Sequence, residues 1–410
     1  MKLDDNISNY HKITIAQLGA RHHYTIPSIM HQEGILEHFY TDLCAIKGWS
    51  KLLPLIPRRL QNKSMNRLAG RIPQHISSSL ITHFSRFGLE YVLRLRRANS
   101  LSERTKTFLW AGKTFSNLIL RKGLKGTGVY TFNTAGLELL TAAKKQGLLT
   151  IMEQTIAPYQ IETNLIEEEQ KLHLNWQEST EKNAYRTAYI EREFQEWKQA
   201  DMIICGSQFV KDSIQKCGGP VERCVVIPYG VDKRFKVQPQ QRRDKLLRVL
   251  TIGTVGLRKG SPYVLETAQK MRGKALFRMI GPVEVSAKAQ SILQQHLELK
   301  GQVPRSQIQE HYAWADVFLL PSICEGSATV TYEALTAGLP VITTSNTGSI
   351  VTDGVDGYIV PIRNSEAIVQ KLELLISQPE LLFAMKKQAL KKSSFADTDN
   401  HQKRLLEIFK

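Results

Sequence analysis

Glu325 and Glu333 stand eight residues apart in a well-marked motif of the C-terminal half. An apolar run over 317–320 leads into the loop PSICEGSA, and a helix-forming segment follows it. Free backbone N–H groups at the start of such a helix bind anions and suit a pyrophosphate. Carboxylates about two helical turns apart can both face a cleft and accept hydrogen bonds from sugar or ribose hydroxyls. The motif therefore predicts a site for phosphate and hydroxyl groups.

A glycine-containing loop, TIGTVGLRKG over 251–260, follows another strand-like run. Glycines let a backbone approach phosphate closely, and Arg258 or Lys259 can neutralise the charge. The loop is not of the GxxxxGK[ST] type, because Ser261 does not directly follow a Gly-Lys pair. The alternative is an ordinary strand-to-helix turn with solvated cations, and the glutamate motif downstream favours the phosphate site.

Strand and helix signals alternate along most of the chain. Such alternation is typical of parallel sheets covered by helices, and ten strands fit two doubly wound, Rossmann-like halves better than one barrel. The predicted strands are 12–18, 129–132, 148–152, 201–205, 224–227, 248–252, 275–280, 316–320, 340–344 and 357–360. The predicted helices include 261–272, 285–299, 305–313, 327–337 and 365–377.

A segment rich in turn formers and charge, 228–243, separates the two halves. The 410 residues predict an N-terminal domain over 1–235, a C-terminal domain over 236–395 and a C-terminal helix over 396–410. Two doubly wound domains leave a cleft between the carboxyl ends of their strands, where ligands bind.

The net charge of +17 lies mostly in residues 45–125, called the basic segment below. This segment holds 17 Lys or Arg against Glu90 and Glu103, a net +15, and apolar residues lie between the cations. Residues 84–95 predict an amphipathic helix with a basic face. A solvated helix pair and an acidic lipid surface remain alternatives. Nucleic acid is not expected, because no zinc finger, RNP-like strand or helix-turn-helix accompanies the charge.

Composition excludes several other classes of protein. A hydrophobic share of 42% and a charged share of 23% indicate an ordinary globular chain. The five cysteines are scattered without a CxxC pair, and Asp397 and Asp399 read as a helix cap, so no metal is predicted. The polar start and the lack of a long apolar run predict a cytoplasmic location, peripheral on the inner membrane face if the basic segment binds lipid.

Residues 249 to about 375 resemble the donor domain of retaining GT-B glycosyltransferases of family 4, within the group 1 glycosyl transferases. The resemblance rests on IGTVGLRKGSPYVLETA, RMIGPVE, GQVPRSQIQEHYAWADVFLLPSICEGSATVTYEALTAGLPVITT and DGVDGYIVP. Upstream, ADMIICGSQFVKDSI and VVIPYGVDKRF resemble the region before that family's hinge. The resemblance implies the GT-B fold, two Rossmann-like doubly wound domains with a cleft between them. It also implies an N-terminal acceptor domain, a C-terminal nucleotide-sugar donor domain, no metal and no cofactor.

The resemblance also implies roles for single residues. Lys259 matches the family lysine that binds donor phosphate, Glu325 matches the first glutamate of the E-x7-E motif beside the transferring sugar, and Glu333 matches the second, which contacts the ribose. Lys259 and Glu325 are thus catalytic candidates. The other donor-binding candidates are Gly253, Thr254, Arg258, Ile280 and Val303 (flanking the nucleobase), Gly326, and Ser327 and Ala328 (through backbone N–H groups).

Two positions depart from the family pattern. Thr254 stands where members often have an arginine, and Arg258 is the candidate to compensate. The strand LLTIMEQT ends in Glu153, where many members carry a histidine. Glu153 is a third catalytic candidate, predicted to hydrogen-bond a sugar hydroxyl or to help deprotonate the acceptor, with a simple loop glutamate as the alternative.

Candidate acceptor residues follow two N-terminal strands: Gly19, Arg21 and His22 after the first, and Asn133 after another. A purely structural loop is the alternative for each. The sequence thus predicts a metal-independent retaining glycosyltransferase of polysaccharide biosynthesis. It would move sugar from a UDP- or GDP-sugar to a glycan or lipid-linked acceptor, with an anionic membrane surface as a further partner. A sugar phosphorylase on the same fold and a basic nucleic-acid-binding protein are the alternatives.

Overall fold

A computed structural model describes residues 11–45, 71–73, 75–177, 182–231, 237 and 246–409. Most of the predicted boundary 228–243 and part of the basic segment therefore lie outside the described residues. Among the described helices, none combines the length and apolarity that crossing a bilayer requires.

The N-terminal half is built on seven parallel strands in the order β3-β2-β1-β4-β5-β6-β7. β1 and β4 are buried along their whole length, as expected of a sheet covered on both faces. The strands are β1 Ile13–Gln17, β2 Leu36–Thr41, β3 Ile81–His83, β4 Gly128–Phe132, β5 Leu149–Gln154, β6 Met202–Cys205 and β7 Cys224–Val226. The helices are α1 Thr25–Gln32, α2 Ser85–Arg97, α3 Leu101–Leu120, α4 Leu137–Lys145, α5 Tyr159–Leu172, α6 Arg186–Gln199 and α7 Gln208–Lys216.

The C-terminal half is built on six parallel strands in the order β10-β9-β8-β11-β12-β13. Its strands are β8 Leu247–Ile252, β9 Ala275–Ile280, β10 Glu298–Leu299, β11 Val317–Leu320, β12 Val341–Thr344 and β13 Gly357–Val360. Its helices are α8 Ser261–Lys270, α9 Ala287–His296, α10 Ile308–Trp314, α11 Thr329–Thr336, α12 Ser365–Ser377 and α13 Pro379–Ser393.

Both sheets reverse their strand order at one point, between β1 and β4 and between β8 and β11. In open parallel sheets, ligands bind outside the carboxyl ends of the strands at such a switch point. The loops that follow β1, β4, β8 and β11 contain most of the candidate residues predicted from the sequence.

The last helix, α14 (Thr398–Leu406), returns to the N-terminal half. Leu405 and Leu406 pack in the same buried cluster as Ile13 of β1. Asp397 caps this helix, since its Oδ1 accepts the Asn400 N–H at 2.7 Å. The predicted cap role of Asp397 is confirmed.

Helix α5 follows β5 of the N-terminal sheet but is fastened to the C-terminal half. Its buried Glu169 accepts hydrogen bonds from Tyr263 Oη at 2.9 Å and from Arg363 Nε at 2.5 Å. Just beyond the helix, the Trp176 carbonyl accepts the Ser286 N–H at 2.7 Å. These bonds join α5 and the residues just after it, which follow β5 of the N-terminal sheet, to the C-terminal half.

Several element predictions need correction. The helix predicted over 285–299 ends at His296, and Glu298–Leu299 instead forms strand β10. The sequence prediction also missed β2 and β3. In β2, LEHFYT, the polar Glu37 and His38 interrupt the apolar run that marks a buried strand.

Candidate active site

Lys259 folds back over the loop that follows β8. A Cβ at Gly253 would lie 3.1 Å from Lys259 Cε, and Gly253 has a φ of +148°. Glycine is therefore required there to let the lysine stem pass close to the backbone. A single turn of 3-10 helix, Leu257–Lys259, then leads into α8. Thr254, which stands where the family that the chain resembles often has an arginine, is half-buried in the same loop.

Glu325 gathers two cations at the carboxyl ends of β8 and β11. Its Oε1 lies 2.6 Å from Lys259 Nζ and 2.6 Å from Arg258 Nη1. Arg258 Nη1 also donates to the Cys324 carbonyl at 3.2 Å. Burial lowers the pKa of Lys259, and the Glu325 carboxylate partly offsets this while Arg258 adds to it. The Arg258 side chain therefore points toward Lys259 and Glu325. This is the direction that it needs if it compensates for the arginine that Thr254 replaces.

The start of α11 differs from the sequence prediction. Ala328 does not offer its N–H to a ligand, because that group donates to the Thr347 carbonyl at 3.2 Å. The Ser327 hydroxyl is hydrogen-bonded to Tyr332 Oη one turn along the chain. The 3-10 turn Ser345–Thr347 lies against this loop. Its Thr347 carbonyl accepts the Ala328 N–H, which the sequence analysis assigned to a ligand.

Glu333 is buried on α11 and is held by two partners. Tyr312 Oη donates to its Oε2 at 3.0 Å, and the exposed Arg305 pairs with its Oε1. Ile280 and Val303 join the same apolar cluster as Tyr312. The Ile280 side chain is fully inside the core, so only its backbone can border a base, whereas Val303 is partly exposed.

The two halves touch at Gly326. A Cβ there would lie 1.9 Å from the carbonyl oxygen of Thr155, which follows β5. The Gly326 carbonyl accepts a hydrogen bond of 2.5 Å from Ser207 Oγ at the start of α7. The loop that carries Glu325 is thus held against the N-terminal sheet at the point where the glutamate motif begins.

Arg21 and Asn133, two of the predicted acceptor residues, converge on Thr155. Arg21 Nη1 donates to Thr155 Oγ1 at 2.6 Å, and Asn133 Oδ1 accepts from that hydroxyl at 2.9 Å. Gly19 lies at the entrance to the same loop, and its N–H donates to Asp42 Oδ1 at 3.0 Å. Thr155, which sequence reasoning missed, joins the candidate acceptor residues to Gly326.

His22 lies in a backbone stretch that non-glycine residues rarely adopt. His22, His23 and Tyr24 have φ values of +46°, +51° and +65°. The His22 ring centroid is 3.9 Å from that of Tyr229, and burial lowers the His22 pKa to about 4. Such strain persists where surrounding structure fixes it, and it clusters at functional sites.

Glu153 lies below this surface rather than in a loop. It is the next-to-last residue of β5, is 1% exposed, and accepts hydrogen bonds from Tyr130 Oη at 2.5 Å and Tyr229 Oη at 2.8 Å. Burial raises its pKa. The loop-glutamate alternative is wrong, and the predicted direct contact with a sugar hydroxyl is replaced by contacts with two tyrosines. Through Tyr229, Glu153 can fix the position of His22.

Within the described ranges, no group of three or more His, Cys, Asp or Glu side chains is arranged to hold a metal ion. Charged groups that converge at the cleft include the Lys259–Arg258–Glu325 cluster and Arg21.

Residues 232–392 match the family described as glycosyl transferases group 1. The predicted resemblance is thereby confirmed over these residues. WcaL of Escherichia coli K12, named for colanic acid biosynthesis, is 25% identical over 193 residues, 43% of this chain and 48% of WcaL. The amylovoran biosynthesis glycosyltransferase AmsK of Erwinia amylovora is 25% identical over 44% of this chain and 49% of AmsK. The matches thus span about half the length of these relatives.

The fold extends the likeness to the whole chain. The crystal structure of Anabaena Alr3699/HepE in complex with UDP and glucose superposes with a TM-score of 0.61 at 14% identity, covering 97% of this chain and 99% of HepE. The predicted GT-B architecture, two Rossmann-like sheets with a cleft between them, is confirmed.

Proposed function

We propose that this chain is a metal-independent, retaining glycosyltransferase that moves sugar from a nucleoside-diphosphate sugar to a glycan or lipid-linked acceptor. The supporting observation is the cluster of Lys259, Arg258 and Glu325 at the switch point of the C-terminal sheet. It lies beside Gly326, which touches Thr155 of the opposite half. The UDP and glucose named for HepE agree with a UDP-sugar donor, and a matched mycobacterial enzyme is named for GDP-mannose, so either nucleotide fits the proposal.

Cleavage of the bond between the sugar and the diphosphate leaves negative charge on the diphosphate. Lys259 and Arg258 would stabilise that charge, because preorganised cations in a water-poor site favour the transition state. Lys259 must be protonated for this role, and Glu325 supports protonation by raising its pKa against the effect of burial.

Retention is proposed to occur by attack on the face that the diphosphate leaves. The bond between the anomeric carbon and the diphosphate oxygen breaks, and the oxygen of the acceptor hydroxyl bonds to that carbon. The leaving phosphate takes the proton of this hydroxyl. Glu325 is engaged by two cations, so we assign it to orienting them beside the sugar rather than to forming a covalent intermediate. Closure of the halves at Gly326 would bring the acceptor to the sugar.

The donor is tested with a thermal-shift screen of UDP, GDP, ADP and their common sugars, followed by nucleotide-release assays. Product formation should survive excess EDTA, and the anomeric configuration of the product, read by NMR, should equal that of the donor. Loss of activity in EDTA with rescue by Mg²⁺ or Mn²⁺ would contradict metal independence. Release of sugar 1-phosphate that requires inorganic phosphate would instead identify a phosphorylase.

We further propose that α2 docks the enzyme on an anionic membrane surface. Leu89 and Leu93, one turn apart, are 43% and 48% exposed, and Arg86 and Arg97 are exposed on the same helix. Each cation near an acidic leaflet contributes about 1 kcal/mol, and exposed leucines add apolar contact. The other cations of the basic segment would strengthen this attachment.

Co-sedimentation with vesicles of rising anionic-lipid content tests this docking at low and high salt. Leu89→Ser with Leu93→Ser should weaken binding while nucleotide affinity stays unchanged. The matched control is Leu172→Ser with Leu174→Ser, which removes two exposed leucines outside the basic segment. Failure of the wild type to bind anionic vesicles at low salt, or equal losses in both double variants, would overturn the proposal.

A further inference from the structure

A cavity of about 320 Å³ opens in the N-terminal half, at the carboxyl ends of β1, β2 and β4. Arg21, Asp42 and Arg71 line it together with side chains of α2, α3 and α6. Donor phosphate is assigned to Lys259 and Arg258 in the opposite half. The two arginines of this cavity belong to the N-terminal half and are not part of that cluster.

Among the described residues that line the cavity, Asp42 supplies the one carboxylate, and that carboxylate already has partners. Asp42 Oδ1 accepts the Gly19 N–H at 3.0 Å, and Oδ2 pairs with Arg71 Nη1 at 3.0 Å. The Asp42 side chain is buried, whereas that of Arg71 is 27% exposed. One buried carboxylate against two guanidinium groups leaves the cavity with net positive charge.

Few of the hydrogen-bond donors of these arginines are used by the described residues. A guanidinium carries five N–H donors in a planar fork that matches phosphate and carboxylate groups. In the described part of the chain, the side chain of Arg21 donates one hydrogen bond, to Thr155, and that of Arg71 donates one, to Asp42. Donors held in place but unused at a cavity wall favour an anionic ligand.

The rest of the wall suits a sugar ring. Tyr91 and Leu95 of α2, Phe108 of α3 and Tyr189 of α6 supply flat or apolar surface. Pockets that combine apolar walls with a few fixed polar groups are typical of small-molecule sites. The volume is of the size that one sugar unit with an attached anion requires.

The cavity also adjoins the site of transfer. Arg21 donates to Thr155 Oγ1, and the Thr155 carbonyl oxygen is the atom that a Cβ at Gly326 would meet at 1.9 Å. One residue thus separates the cavity from the loop that carries Glu325. A ligand bound by Arg21 would lie on the acceptor side of the cleft.

We infer that Arg21 and Arg71 form a subsite for an oxyanion, a phosphate or a carboxylate, carried by the acceptor. This inference rests on the proposed function, because it names the acceptor class for the same cleft. The enzyme would select an acidic acceptor over a neutral one of the same size.

The test compares methyl glucoside 6-phosphate and methyl glucuronide with neutral methyl glucoside, titrated by NMR into the full-length protein. A saturating nucleoside diphosphate occupies Lys259 and Arg258 throughout. We expect one or both anionic glycosides to bind about tenfold more tightly than the neutral one. Arg21→Gln and Arg71→Gln should each remove most of this preference, whereas Arg104→Gln, the matched control on the exposed face of α3, should keep it. The tighter anionic glycoside identifies phosphate or carboxylate as the ligand group.

Arg71→Gln leaves the Asp42 charge buried without its partner, so this variant can fail to fold. A second variant keeps the test decisive in that case. Asp42→Asn removes the competing carboxylate and should raise affinity for the anionic glycosides, an effect opposite in sign to that of the arginine variants. Equal affinity for all three glycosides, or equal losses in Arg21→Gln and Arg104→Gln, would overturn the inference. Nucleoside-diphosphate affinity is measured separately. Its absence would overturn the proposed function, whereas normal nucleotide binding without anion preference would overturn this inference alone.

Discussion

Replacing Gly326 with alanine should separate donor binding from sugar transfer. The added Cβ would lie 1.9 Å from the Thr155 carbonyl oxygen and 2.7 Å from its carbonyl carbon, both of them backbone atoms that cannot rotate away. Real Cβ atoms are not found closer than 3.0 Å to such neighbours, so the loop and β5 must move apart by at least about 1 Å. A misplacement of about 1 Å between reacting groups can cost about 100-fold in rate. Lys259 and Glu333 both belong to the C-terminal half, so nucleotide affinity should change little.

The assay pairs the nucleotide dissociation constant with the turnover number for sugar transfer. Gly256→Ala is the control, because its backbone is extended, with a φ of 179°, and its nearest neighbour is the movable side-chain amide of Gln177 at 3.2 Å. We expect Gly326→Ala to bind nucleotide like the wild type and to turn over about 100-fold more slowly, with Gly256→Ala close to the wild type. Turnover within threefold of the wild type in Gly326→Ala would show that this contact is not needed for transfer.

Four further outcomes are expected. Lys259→Ala should lower the transfer rate by about 10²–10³ without unfolding the protein, since it removes a preorganised charge; full activity would contradict its role. Glu333→Ala should weaken nucleotide binding in a calorimetric titration and leave the turnover number nearly intact. Glu325 raises the pKa of Lys259, so Glu325→Gln should move the alkaline limb of the pH–rate profile to lower pH. Arg258 lowers that pKa, so Arg258→Gln should move the limb to higher pH. Shifts of both variants in the same direction would contradict this. Burial lowers the pKa of His401 to about 3, so the unfolded chain binds the proton first and stability falls as pH drops below 6.5. Urea unfolding should show a loss approaching about 3 kcal/mol near pH 4 that His401→Gln reduces.

Most of the proposed donor side could be predicted because its signals are contiguous in sequence. The strand, loop and helix around Glu325 span about two dozen residues, and the loop that ends in Lys259 is equally local. Parallel strands place such loops at one edge of a sheet. The pairing of β8 with β11 therefore brings the loops that carry Lys259 and Glu325 together.

The acceptor side could not be predicted in this way, because its contacts join distant parts of the chain. Glu153 meets Tyr130 and Tyr229, which are 23 and 76 residues away. Nothing in the local sequence LLTIMEQT distinguishes a glutamate that faces a cleft from one that lies under two tyrosines. The same limit affects one position of the proposed donor side, because the Ala328 N–H donates to Thr347, which only the folded chain brings into reach.

The contacts of α5 with the C-terminal half have a consequence for recombining halves of proteins with this fold. A junction placed in the linker between the sheets would leave α5 with the N-terminal fragment and its partners Tyr263 and Arg363 with the other. Glu169 would then face a foreign surface as a buried carboxylate without a counter-charge, a situation that typically costs about 3–5 kcal/mol. A functional hybrid must therefore carry residues 159–177 from the same parent as its C-terminal half, or restore an arginine and a tyrosine opposite Glu169. In a recombination experiment, the C-terminal sheet and helix α5 must therefore be exchanged together.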